Sequence, residues 1–163
     1  MIIEYPNFLT QSECLTLIGI GESDQLKVGK TAGTKHGYRK ARVRWIKEDE
    51  LVDKIKSEVS KLSGLPIDNQ EDFHFVKYSE GGEYKPHYDG HERAKTALIY
   101  LNDGFKGGET LFNNINKTIK PEIGKLIIWD NINPDGTKDK DSLHTGLPVE
   151  FGTKYIAVIW IKK

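Results

Sequence analysis

The chain is 163 residues long, and its 24 Lys and Arg balance its 24 Asp and Glu, so the formal net charge is zero. That balance excludes a generic polyanion binder, which holds phosphates with surplus basic side chains, and no nucleic acid is expected as a partner. Hydrophobic residues (37%) suffice for one core, the single Cys14 excludes an internal disulfide, and no apolar run approaches the ~20 residues of a membrane helix. The opening MIIEYPNFLT lacks the basic and apolar regions of a signal peptide, so a cytoplasmic protein is expected, with no membrane as partner.

In chain order, Thr10 and Glu13 fit a capping box, and Leu15, Leu17 and Ile18 continue a helix that Gly19 and Gly21 should end. Residues 30–45 are basic and Gly-bearing, and read as a mobile loop leading into a strand. A second helix is expected over 48–62, with acids in its first turn and Leu51, Val52, Ile55, Val59 and Leu62 as an apolar stripe. Gly64 and Pro66 stop it. From about residue 70 the pattern becomes short strands, over 73–78, 84–89, 96–101, 109–112, 118–120, 125–129, 143–147 and 154–161, with Gly and Asn turns between them. The polar stretch 130–141 reads as an exposed loop. The fold class this implies is mainly β with supporting helices, a jelly-roll barrel. One domain is expected over 1–163, with 1–70 as helical support and substrate loop and 71–163 as the barrel.

His87 and Asp89 stand two apart on an expected strand, so both side chains take one face while Tyr84, Pro86 and Tyr88 take the other. His144 lies on a later strand. Two His and one carboxylate make a facial triad, which leaves three adjacent positions open on a six-coordinate metal. Zinc accepts the same ligands, so the triad alone does not select iron. On the last strand, alternation puts Lys154 on one face with Ile156, Val158 and Trp160. Such a lysine either snorkels outward or sits in a buried anion site.

The strings YSEGGEYKPHYD, RAKTALIYLND, GGETLF, PEIGKLIIWDN, SLHTGLPVEFGTKY and AVIW, in this order, resemble the prolyl 4-hydroxylase branch of the 2-oxoglutarate/Fe(II) dioxygenases. YPNFLTQSECLTLI and YRKARVRWI are similar to that branch's N-terminal segments. The resemblance implies a double-stranded β-helix. It also implies hydroxylation of peptidyl proline with O2, releasing succinate and CO2, with Fe(II), 2-oxoglutarate and ascorbate as cofactors. By the same resemblance, His87, Asp89 and His144 match the iron ligands, and Lys154 matches the basic residue for the C5 carboxylate of 2-oxoglutarate. Tyr78, Thr110 and Tyr100 fall at positions of the cosubstrate pocket, Trp160 beside the iron, and Arg93 at a position for peptide substrate. The loop over 30–44 with Arg93 is expected to frame the substrate channel.

Two departures bear on the substrate. The segment from Asp89 to Thr96 is short for a lid, and Lys162 stands where some peptide hydroxylases have histidine. The partner expected is a proline-containing peptide or protein. A dioxygenase acting on another residue or a small molecule is the second reading, and an inactive barrel serving as a binding module is the third.

Overall fold

The computed structural model describes residues 1–29 and 37–163. In chain order the elements are β1 (Ile2–Tyr5), α1 (Gln11–Glu22), β2 (Lys27–Val28), β3 (Arg42–Ile46), α2 (Glu50–Ser63), β4 (Phe73–Tyr78), β5 (Tyr84–His87) and β6 (Arg93–Tyr100). There follow β7 (Lys106–Gly107), β8 (Thr110–Phe112), β9 (Lys117–Ile119), β10 (Leu126–Asp130), β11 (His144–Gly146), β12 (Val149–Phe151) and β13 (Lys154–Lys162). A seven-stranded antiparallel sheet runs β1-β10-β6-β13-β4-β3-β2, and a four-stranded sheet, β5-β11-β8-β9, faces it across a cavity lined from both. This is the jelly-roll expected. Among the described residues, no helix is long and apolar enough to cross a membrane.

The large sheet is covered on both faces, which explains its nearly continuous apolar strands. On β13, Ala157, Ile159 and Ile161 pack with Leu17 of α1 and with Val52, Ile55 and Val59 of α2. Ile156, Val158 and Trp160 alternate with them and face Tyr78, Phe112 and Trp129 inside the barrel. Period-two alternation thus assigns one residue set to the helices and the other to the site.

Several boundaries differ from the sequence reading, each for a physical reason. The capping box forms, with the Glu13 amide donating to Thr10 Oγ1 at 3.1 Å, but α1 runs through Gly19 and Gly21 to Glu22. Gly21 is there for close approach: a Cβ would lie 2.4 Å from the Phe75 ring of the sheet below. α2 starts later than expected because Asp49 is its N-cap, accepting from the Val52 amide at 3.0 Å, and Leu62 of the expected stripe is exposed. Within the expected basic loop, residues 30–36 lie outside the described residues. The part that follows is not a loop throughout, since Arg42, Val43 and Arg44 belong to β3 and pair with β4. Val43 is buried between the basic Arg42 and Arg44, the alternation of a strand, and this is the strand into which the loop is expected to lead. The short strands β1, β2, β7 and β12 have no counterpart among the expected elements.

Candidate active site

The triad is assembled by strand pairing. β5 pairs with β11 so that His87 stands opposite His144, and β8 pairs on the other side, with Phe112 opposite His144. Asp89 follows two residues after β5 ends. One ligand atom from each of His87, Asp89 and His144 falls within 4.8 Å of the others. Each imidazole is oriented from behind. His87 Nδ1 lies 2.8 Å from the Lys85 carbonyl and His144 Nδ1 2.9 Å from the Ser142 carbonyl. Donation of Nδ1–H to a carbonyl leaves Nε2 as the free lone pair, the tautomer a metal requires. Burial, with His144 nearby, pushes the His87 pKa down to about 3, so its imidazole is neutral at physiological pH. Burial opposes ionisation of Asp89, yet the two imidazoles and the Thr96 hydroxyl hold its pKa below the usual carboxylate value. Two imidazoles and one carboxylate brought together in this way fit a divalent iron with open positions.

A chain of side chains missed in the sequence supports the carboxylate. Thr96 Oγ1 donates to Asp89 Oδ2 at 2.5 Å, Asn131 Nδ2 donates to Thr96 Oγ1 at 2.8 Å, and Trp129 Nε1 donates to Asn131 Oδ1 at 2.9 Å. Asn131 lies in the stretch 130–141 that reads as an exposed loop but is itself buried, because its amide must sit between Thr96 and Trp129. Thr96→Val keeps the shape and removes the hydroxyl, which frees one carboxylate oxygen to turn. Fe(II) affinity is expected to fall about 10–100-fold, as for other supporting hydrogen bonds of metal ligands. Fe(II) titration of the purified variant checks this, and wild-type affinity would remove the chain's role.

Tyr84 corrects a second expectation. It does not point away from His87 but stacks on it, with ring centroids 3.4 Å apart and planes 15° from parallel. Pairing shifts from His144 opposite His87 to Gly146 opposite Tyr84, so β5 carries one residue more than β11. Such a bulge breaks the alternation, and Pro86, which has no amide to donate, sits within it.

At the opposite end of the cavity lies Lys154, only 2% exposed. It shares its face with Ile156, Val158 and Trp160, as the alternation requires, and it forms no ion pair among the described residues. Its ammonium lies 5.0 Å from the Tyr78 ring centroid and 5.8 Å from that of Tyr100. Burial, only partly offset by Glu109, pushes its pKa down to about 7. Gly108, at φ +69°, makes room for its stem, since a Cβ there would lie 3.0 Å from Lys154 Cδ. Tyr78 and Thr110 line the cavity beside it. Tyr100 is set behind them, its hydroxyl 2.6 Å from Thr110 Oγ1, and does not line the cavity itself. Trp160 lines the cavity, whereas Arg93 lies outside it, in a groove that opens beyond Trp160. Arg93 is held by two bonds to Glu71, at 2.8 and 2.9 Å, and lies 3.8 Å over the Trp160 ring.

The comparisons agree with this geometry. The family model described as the 2OG-Fe(II) oxygenase superfamily matches residues 73–162. Prolyl 4-hydroxylase 5 of Arabidopsis thaliana is 29% identical over 97% of this chain and 67% of its own. A putative prolyl 4-hydroxylase of Acanthamoeba polyphaga mimivirus is 28% identical over 96% of this chain and 72% of its own. Among solved structures, the viral collagen prolyl hydroxylase of Paramecium bursaria Chlorella virus-1, in its 2-oxoglutarate complex, superposes with a TM-score of 0.84. It is 29% identical, over 99% of this chain and 95% of that one. The family match covers the barrel strands that hold the triad and Lys154, and on that ground the chain belongs to the 2OG-Fe(II) oxygenase superfamily, dioxygenases that work with Fe(II), 2-oxoglutarate and O2.

Proposed function

We propose that the protein hydroxylates peptidyl proline, as a prolyl 4-hydroxylase does, with release of succinate and CO2 from 2-oxoglutarate. The observation that carries this reading is a cavity with the triad at one end and, at the other, a lysine without an ion pair among the described residues, in a chain aligned nearly end to end with proteins named prolyl 4-hydroxylase. In this reading His87, Asp89 and His144 hold Fe(II), which when bound supplies O2 activation and the oxidative decarboxylation of 2-oxoglutarate. Lys154 pairs with the C5 carboxylate, and the hydroxyls of Tyr78 and Thr110 orient it. The separation of cation and triad then sets which end of the dicarboxylate reaches the iron. Leu98, Ile156 and Val158 line the wall between and keep water from the reacting centre. Trp160 borders the iron pocket and the outer groove alike, so a target side chain entering from the groove passes its ring. Arg93, fixed by Glu71, stands at that entrance to meet the peptide. A cytoplasmic setting belongs to the same reading, with the lone Cys14 buried and reduced.

The test is 2-oxoglutarate turnover across a panel of proline-containing peptides, with mass spectrometry on the products. A gain of one oxygen on proline, coupled to succinate, is the expected result. Turnover that couples to none of the peptides, while another residue or a small molecule is oxidised, would move the protein to the second reading.

A further inference from the structure

Beyond the cavity, the barrel face of the large sheet continues into the open groove, and one residue there breaks the pattern of its row. On β4 the inward row runs Tyr78, Val76, His74, and at its outer end packing alone would favour an apolar side chain. His74 instead is 2% exposed and lies between two indoles, its ring centroid 4.1 Å from that of Trp45 and 5.0 Å from that of Trp160. Arg39 Nη2 lies 3.2 Å from His74 Nε2. A guanidinium only donates, so Nε2 carries the lone pair and the ring proton sits on Nδ1. Burial, reinforced by Arg39 and Arg93, pushes the His74 pKa down to about 3, in keeping with a neutral ring.

Among the described residues, four buried side-chain nitrogens or oxygens have no hydrogen-bond partner, and three of them are here: Arg39 Nε, His74 Nδ1 and Trp160 Nε1. All three residues line the groove. All three atoms are donors. A folded chain rarely leaves buried donors unmade, and three at one junction leave an unmet demand for acceptors where that junction borders the groove. The complementary ligand is rich in carbonyl oxygens and poor in N–H. A run of imino acids is such a segment, because each proline keeps its carbonyl and has no amide hydrogen. Trp45, 43% exposed, adds an aromatic wall of the kind against which proline rings pack.

We propose that His74 is a substrate-binding and specificity-determining residue, which donates Nδ1–H to a main-chain carbonyl of the peptide and favours an imino acid beside the target proline. The inference rests on the proline-hydroxylation reading. Arg39 already occupies His74 Nε2, and among the described residues the orphaned groups of the junction are donors, so an N–H brought there by an ordinary residue finds no free acceptor among them, whereas proline brings none.

The experiment uses the holoenzyme with Fe(II) and 2-oxoglutarate. Peptide affinity is measured without O2, and KM and kcat with O2, for peptides with proline or alanine flanking the target. His74→Phe keeps a ring between the indoles and removes the donor. It is expected to weaken binding and raise the peptide KM about tenfold, with kcat and Fe(II) affinity near wild type. His74→Gln keeps an acceptor for Arg39 and restores an N–H donor, so it should recover most of the affinity that His74→Phe loses, with the preference for flanking proline retained. Circular dichroism and 2-oxoglutarate affinity report whether each variant is folded. Wild-type peptide affinity, or an unchanged preference for flanking proline, in folded His74→Phe would overturn the inference and leave proline hydroxylation standing. If His74→Phe fails to fold, His74→Leu, which also lacks the donor, is measured in its place with the same outcomes. Wild-type holoenzyme that binds no proline peptide would overturn the parent reading and this one with it.

Discussion

Asp89→Ala is expected to abolish Fe(II)-dependent turnover of 2-oxoglutarate, and His87→Ala and His144→Ala to do the same. The described residues offer one cluster of this kind, and it has no spare donor within reach. Asp89 carries the additional burden of charge. An imidazole ligates a metal as a neutral group, so the carboxylate alone offsets the cation, and its loss also leaves Thr96 donating to nothing. The Asp89 variant should therefore bind Fe(II) most weakly of the three. The fold should survive each change, because the apolar layers on either face of the large sheet are untouched. Decarboxylation measured at saturating Fe(II), beside circular dichroism of the same samples, checks both statements. Full turnover in any one variant would remove the triad from the mechanism.

Lys154→Ala should raise the apparent KM for 2-oxoglutarate more than a hundredfold. A carboxylate buried without its cation costs on the order of 3–5 kcal/mol, which converts to at least that factor. Lys154→Arg should retain some affinity, limited by a site whose depth suits a point charge rather than a fork. The same lysine gives a pH signature whose direction follows from its burial. Without a ligand its pKa lies at about 7, and binding the carboxylate requires the ammonium. Affinity is then full below about pH 7 and falls as pH rises through that value, by roughly tenfold per unit once the amine is mostly neutral. Titration of 2-oxoglutarate into the Fe(II) protein between pH 6 and 9 reads this slope directly. A flat profile, or an unchanged KM in Lys154→Ala, would mean that the anion is held elsewhere.

What the sequence disclosed about this site follows from periodicity and its limits. Lys154 could be placed beside Ile156, Val158 and Trp160 because β13 is unbroken, and alternation holds along an unbroken strand. Tyr84 departs from the expected face because β5 is broken by a bulge, and nothing local distinguishes Pro86 as a bulge residue from Pro86 as an edge residue. Thr96 and Asn131 were invisible for a different reason. Thr96 looks like any β-former and Asn131 like any loop residue, and only the pairing of β6 with β10 brings them together behind Asp89. His74 sits among apolar neighbours where one histidine conveys little. Arg39 was hidden in a run of basic residues whose charge suggested solvent. The helices are legible from caps and stripes, yet Gly21 reads as a stop signal because the ring it accommodates, Phe75, comes from a distant strand.

The pairing of β5 with β11 has a consequence for the life of the protein as well as for its chemistry. His87 and His144 lie far apart in the chain and become neighbours only when those two short strands meet. With Fe(II) held by these residues as proposed, the unfolded polypeptide has no comparable site, and an ion bound across the strands would act as a clip that closes the intervening loop. By mass action, Fe(II) at a hundred times its dissociation constant adds about 2.7 kcal/mol to the free energy of unfolding. For a chain of this size that is several degrees of melting temperature. Iron scarcity would thus act twice, halting turnover and also enlarging the unfolded fraction that proteases and chaperones encounter.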